Sequence, residues 1–276
     1  MGTWQEVGAG VFQRRYDPLD VSVCVVRGSA GLLLVDTRSS HHEADEILED
    51  VRAFGAPVRW VVNTHAHFDH SFGNFRLGPA SEVGAPIYGH ERVPAHLARY
   101  ETPMLAGWVH RGDGPVPHLD EVVITPPTVL VGDRTRLDLG GRDVELVHLG
   151  RGHTDNDLLV HVADASTWLV GDLVEESGPP MYGSGSFPLD WPDTLGALLD
   201  QIEDGAALVP GHGAPVGSAF VAAQREQLQL VADWIRVLHA DGVAQEDAVA
   251  AGSGRWPFAD DVVGPAVRDG YAQLAV

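Results

Sequence analysis

Thr64-His65-Ala66-His67-Phe68-Asp69-His70 places three imidazoles and a carboxylate within six residues, straight after the apolar run Val58-Arg59-Trp60-Val61-Val62. Neutral imidazole is the commonest metal ligand, and carboxylate oxygen also binds zinc or iron. A strand that feeds a tight loop here can aim His65 and His67 at one ion and leave Asp69 and His70 for a second. A lone histidine is usually an ordinary polar surface residue. Four ligand-type side chains crowded together read instead as a metal motif.

Upstream of the cluster, residues 21–27 and 32–37 are apolar, β-branched runs separated by Gly28-Ser29-Ala30-Gly31, the signature of a hairpin. The second run ends on Asp36. Ser39-Ser40 offer an N-cap for a helix over about 41–54, with Ala44, Ile47, Leu48, Val51 and Phe54 at helical spacing, and Gly55-Ala56-Pro57 stops it. Downstream, the pattern predicts a strand at 86–90 and a helix over 91–100. Residues 101–120 carry no clear period and read as a long loop. Strands follow at 128–131, 135–139, 144–149, 158–162 and 168–170. A Gly/Pro-rich loop at 176–189 leads to a helix near 192–203, a strand at 207–210 and a long amphipathic helix over 218–240. Strands with helices outside them, twice over, favour one domain over 1–276, built from two halves and carrying a helical C-terminal extension from about 218.

Three more ligand-type residues share one position, the end of an apolar run beside glycine: His153, Asp172 and His212. Glycine lets the backbone turn and approach a ligand closely, and loops at strand ends are where rigid scaffolds carry functional groups.

Asp36, His65-Ala66-His67-Phe68-Asp69-His70, Gly152-His153-Thr154, Gly171-Asp172 and Gly211-His212-Gly213 together resemble, in order and spacing, the motifs of the metallo-β-lactamase superfamily of hydrolases, over roughly residues 20–215. The resemblance implies an α/β fold, a four-layer αββα sandwich with the metal site at one edge of its two sheets. It implies that His65, His67 and His153 hold a first metal and that Asp69, His70 and His212 hold a second. Asp172 would then bridge the two, and Asp36 would orient the ligands from behind. Two Zn2+ per chain is the cofactor expectation, and the same N/O donors accept iron or manganese. In such a two-metal site a bridging hydroxide is the nucleophile and Asp69 orients it or accepts its proton. Tyr182 is a candidate oxyanion donor. Phe68, Trp108, Met181 and Tyr182 are candidate walls of the substrate pocket.

Composition narrows the reaction. The net charge is -21 over 276 residues and every basic residue is Arg, which disfavours nucleic acid or an anionic membrane as partner. The one cysteine, Cys24, cannot form an internal disulfide and lies in a strand-like run, as a buried small residue would. The first residues carry neither a basic start nor an apolar core, so the expected location is the cytoplasm. Exported metallo-β-lactamases use Cys or Ser where Asp172 stands, which sets β-lactams below esters, lactones and thioesters as substrates. Glyoxalase II-like thioesterases share the whole ligand set but hold glutathione with basic residues in a C-terminal region. Residues 241–276 here offer only Arg255 and Arg268. A mononuclear iron sulfur dioxygenase is the alternative chemistry, and His70 with His212 weighs against it. The expected partner is a small molecule, with a homo-oligomer left open.

Overall fold

The computed structural model describes residues 3–275. The chain opens with β1 (Gln5–Gly8), β2 (Val11–Tyr16), β3 (Val21–Arg27), β4 (Leu32–Val35), α1 (His41–Val51) and β5 (Val58–Val62). The short helices α2 (Phe68–Ser71) and α3 (Asn74–Leu77) follow, then β6 (Ile87–His90) and α4 (Val93–His96). A π-helical turn (Leu97–Glu101) continues from α4 into α5 (Thr102–Arg111). Next come β7 (Val129–Val131), β8 (Arg134–Asp138), β9 (Asp143–Val147), β10 (Leu159–Val162), β11 (Thr167–Glu175), α6 (Trp191–Leu199) and β12 (Ala207–His212). Helices α7 (Ser218–Ala240), α8 (Gln245–Ala251) and α9 (Asp260–Leu274) close the chain.

The strands run in the order β7-β6-β5-β4-β3-β12-β11-β10-β9-β8, with β2 also on β3 and β1 on β2. Two half-sheets meet where β3 and β12 pair, in register at Val21 and His212. Both faces of each half are covered, so β4 reads as unbroken Leu32-Leu33-Leu34-Val35 rather than as polar alternation. The pleat still sorts those side chains. Leu33 and Val35, with Cys24 and Val26 of β3, face Leu146, Val160, Leu169 and Val209 of the second half. Leu32 and Leu34, with Val23 and Val25, face Ala44, Ile47 and Val51 of α1. In the second half Trp168, Val170 and Leu208 turn outward against α6, α7 and α9, through Leu195, Leu198, Leu228, Val231 and Val267. This is helix on sheet, sheet on sheet and sheet on helix, the expected αββα order. Cys24 is buried between the sheets, where desolvation pushes its thiol well above the ordinary value.

Helix α1 begins as the sequence predicts: the Ser40 hydroxyl accepts from Glu43 N at 3.3 Å. Elsewhere the structure corrects the reading. The expected loop at 101–120 begins as helix, because Pro103 sits in the first turn of α5 and Gly112 (φ 69°) ends it. No residue of α5 is fully buried, so it shows no apolar stripe to read. Strand β2 escapes the sequence pattern because polar Gln13, Arg14 and Arg15 interrupt it, and β1 because it is four residues long with Gln5 and Glu6 exposed. The short run at 168–170 extends to Glu175, through irregular pairing with β12 that leaves Asp172 unmatched in the register. Among the described residues, no helix is long and apolar enough to cross a membrane.

The sheet–sheet core is one of the buried layers that stabilise the fold. Leu33→Ala removes a wholly buried side chain from it and is expected to cost about 2–5 kcal/mol, measured by urea unfolding. A change under about 1 kcal/mol would show that this layer is not tightly packed.

Candidate metal centre

All seven expected ligands converge at one end of the half-sheets. Strand β5 runs straight into the loop bearing His65 and His67, and α2 presents Asp69 and His70 one turn further on. His153 lies on the loop after β9, Asp172 inside β11, and His212 is the last residue of β12. Donor atoms of His65, His67, His153 and Asp172 lie within 4.8 Å of one another, and so do those of Asp69, His70 and His212. Asp172 stands between the groups: Oδ2 is 3.5 Å from His153 Nε2 and 3.4 Å from His212 Nε2, and Oδ1 is 3.2 Å from His70 Nε2.

The outer nitrogens of the five imidazoles reveal how the rings are fixed. His65 Nδ1 is 3.0 Å from Thr64 Oγ1, and that hydroxyl itself donates to Asp36 Oδ2 at 2.8 Å. His70 Nδ1 meets Asp36 Oδ2 at 2.8 Å. The other three face backbone carbonyls: His67 Nε2 to Ser184 O at 3.0 Å, His153 Nδ1 to Met181 O at 3.0 Å and His212 Nδ1 to Leu19 O at 2.7 Å. A carbonyl only accepts, so each of these rings turns an N–H outward and leaves its other nitrogen facing inward. The inward atoms then crowd together, with His67 Nδ1 3.1 Å from His65 Nε2 and 2.8 Å from His153 Nε2. Lone pairs aimed at one another repel unless a cation lies between them. The spacing is near the ~3.3 Å edge of a tetrahedron with ~2.0–2.1 Å metal–nitrogen bonds. Asp172 Oδ1 is buried with no hydrogen-bond partner. The donor set fits metal.

Electrostatics divide the histidines. Burial, with His67 beside it, holds His153 down at about 3, and burial with His70 nearby lowers His65 as well. Both rings are therefore neutral and ready to ligate at neutral pH. Burial opposes charge on His212 and His70 too, but Asp172 and Asp69 outweigh it, raising His70 and holding His212 up at about 12. Cations entering this group must displace protons, so their binding weakens as pH falls.

Some supporting residues went unread. Asn156 Oδ1 accepts from Ala66 N at 2.9 Å, and Asp157 accepts from Thr154 N at 2.9 Å and Thr154 Oγ1 at 2.6 Å, joining the His153 loop to the His65–His67 loop. The polar run Thr154-Asp155-Asn156-Asp157 is the only sequence mark of that clamp. The carbonyl acceptors leave no mark at all.

A cavity of about 480 Å³ opens over the ligands, lined by His67, Asp69, Asp172 and His212 on its floor and by Phe68, Met104, Met181, Tyr182, Val262 and Pro265 among its walls. Phe68, Met181 and Tyr182 thus stand in the cavity's lining. Trp108 does not. It packs edge-on against Phe68, ring centroids 5.0 Å apart, in the cluster with Ala66 and Phe72, because α5 carries it there. Glu175, unforeseen, is another lining residue, and burial beside Asp172 pushes its carboxyl up to about 7.

Residues 16–212 match the family described as "Metallo-beta-lactamase superfamily". The chain belongs to that superfamily. Its site is that of a metal-binding hydrolase. It is 26% identical over 242 residues to the human (Homo sapiens) acyl-coenzyme A thioesterase MBLAC2, spanning 75% of this chain and 80% of that one. A type 2 metallo-beta-lactamase of Bacillus sp. (strain 170) is 27% identical over 195 residues, 68% of this chain and 65% of that one. Among solved structures, a metallo-beta-lactamase from Pontibacter korlensis superposes with a TM-score of 0.67 at 18% identity, over 83% of this chain and 99% of that one. The sec-alkyl sulfatase PisA1, as a double mutant, gives a TM-score of 0.77 at 18% identity, over 99% of this chain and 50% of the sulfatase. The last two likenesses are of fold.

Gly211 tests the geometry. A Cβ there would stand 1.8 Å from Asp172 Oδ1. Gly211→Ala is therefore expected to displace Asp172, lowering bound metal by elemental analysis and activity by orders of magnitude, with far-UV circular dichroism unchanged. Full metal content in the variant would remove Asp172 from the ligand set.

Proposed function

We propose that the chain hydrolyses a small ester, lactone or thioester with two zinc ions held by His65, His67, His153, Asp172, Asp69, His70 and His212. The cavity carries this reading. Its walls are largely apolar, four acidic side chains (Asp69, Asp172, Glu175 and Asp261) stand in it, and none of its lining residues is Arg. An apolar acyl group is favoured there, and without Arg in the lining there is no guanidinium to hold a phosphate or a carboxylate. The carboxylate of a β-lactam antibiotic would meet no Arg or Lys among these residues. The thioesterase relative supports the thioester branch. The acidic chain, without Lys, supports a small-molecule enzyme rather than one working on nucleic acid.

When bound, the ions supply Lewis acidity and bring the pKa of a coordinated water from about 15.7 to about 7. The chain's own residues do the rest. Asp69, although buried, is held ionised by His70 and His212, and its Oδ2 lies 3.3 Å from His212 Nε2. It orients the attacking oxygen and accepts its proton. Phe68, Met181 and Val262 keep bulk water off the acyl group. Tyr182 lines the cavity with its ring against Trp191, and its hydroxyl is buried without a hydrogen-bond partner; donating to the developing oxyanion requires that hydroxyl to open onto the cavity when substrate binds.

A panel of carboxylic esters, lactones, thioesters, phosphodiesters and β-lactams assayed with zinc-loaded enzyme tests the reading. The first three are expected to turn over best. Preferred cleavage of phosphodiesters or β-lactams would overturn it, and one bound iron with sulfur dioxygenase activity would replace it. Tyr182→Phe is expected to lower kcat by about 10²-fold with KM nearly unchanged, as for loss of one oxyanion donor. An unaltered kcat would make Tyr182 a packing residue only.

A further inference from the structure

Glu101 is wholly buried at the end of the π-helical turn, and the hydrolytic scheme does not use it. Its Oε1 accepts from Ser184 Oγ at 2.9 Å, while Oε2 has no partner. His96 Nε2, also buried and unpartnered, stands 3.6 Å from Oε1, too far for a hydrogen bond. Burying a carboxylate so sparsely partnered is costly. The cluster borders the metal centre: the His96 ring meets the His67 ring edge-on with centroids 5.3 Å apart, and Asn156 Nδ2 is 3.2 Å from His96 Nδ1.

His67, His96 and Glu101 bring donor atoms within 4.8 Å of one another, the spacing of a further cation site. Three observations oppose that role. His67 Nε2 is taken up by Ser184 O, His67 Nδ1 faces His65 and His153, and only two donors remain free.

We infer instead that Glu101 is a positioning residue that acts on the first metal group through Ser184. Ser184 O receives the outer proton of His67, and Met181 O, three residues earlier, receives that of His153. One loop therefore orients two of the three imidazoles in this group, and Glu101 ties that loop to the π-helical turn. Met181, Tyr182, Gly183 and Ser184 also line the cavity, so the same tie shapes the acyl wall. The π-helical turn explains how the carboxylate arrives there, since such turns re-aim side chains within otherwise regular helix. This inference rests on the metal reading of the site and not on the ester reading.

Cobalt titration of metal-free protein tests it, with a chromophoric chelator as competitor and the visible Co2+ spectrum as second readout. In Glu101→Ala, affinity at the three-histidine group is expected to fall about 10–100-fold, with a shifted cobalt band, while the Asp69–His70–His212 group titrates as in wild type. Glu101→Gln keeps an acceptor for Ser184 and should recover most of the affinity. Ser184→Ala removes only the hydroxyl and serves if Glu101→Ala does not fold. Wild-type affinity and spectrum in both alanine variants would overturn the inference, as would a glutamine variant as weak as alanine. Protein that takes up no cobalt would overturn it together with the metal centre. Because turnover is not measured, failure of the ester reading leaves these results standing.

Discussion

The carboxylate of Asp36 holds the site together. It is buried at the end of β4 in a left-handed conformation, φ 66°, which aspartate tolerates better than most residues. Its Oδ1 accepts from Thr64 N at 2.7 Å, and its Oδ2 accepts from Thr64 Oγ1 and His70 Nδ1, each at 2.8 Å. Thr64 passes the constraint to His65, so one side chain orients an imidazole in each metal group. Burial pushes this carboxyl up, and the His70 ring and the Thr64 donors offset that only in part. A neutral residue of the same shape, asparagine, would present a donor where one of these acceptors stands, breaking contacts on that side as well as losing the pull on His70.

Around that anchor, the division of labour is chemical. Side chains supply the inward donors, and main-chain carbonyls of Leu19, Met181 and Ser184 supply three of the five outer acceptors. Carbonyls cannot be protonated and cannot donate, so they fix the tautomer across the working pH range. The loop 181–184 contributes twice, as acceptor to the rings and as cavity wall. Substrate shape and ligand orientation are thereby set by the same few backbone atoms.

Much of this was legible in the sequence because ligation needs particular side chains. His65 to His70, His153, Asp172 and His212 are conspicuous by type and by the glycines beside them, and the buried runs of β3, β4 and β10 read clearly as strands. What stayed hidden lacks such a signature. Backbone acceptors are anonymous in a sequence. Helix α5 has no apolar stripe, β2 mixes Gln and Arg into a half-covered face, and the irregular stretch of β11 that holds Asp172 interrupts strand period. Trp108 was misplaced for the same reason: with 101–120 read as loop, its helix and hence its direction were lost. Val262 and Pro265 of α9 stand in the cavity lining through tertiary packing that no local pattern encodes.

The seam between the half-sheets has a further consequence. Val21 and His212 pair across it, and the metal donors divide across it too, His65 to His70 from one half and His153, Asp172 and His212 from the other. Ions held by both sets would tie together segments nearly 150 residues apart in the chain, from His65 to His212, the kind of long closure that restricts an unfolded chain most. With a single cysteine, this protein has no disulfide to do that. With metal bound, its reactive centre would also be its cross-link, and a change to a ligand would alter how the chain is tied together along with its chemistry.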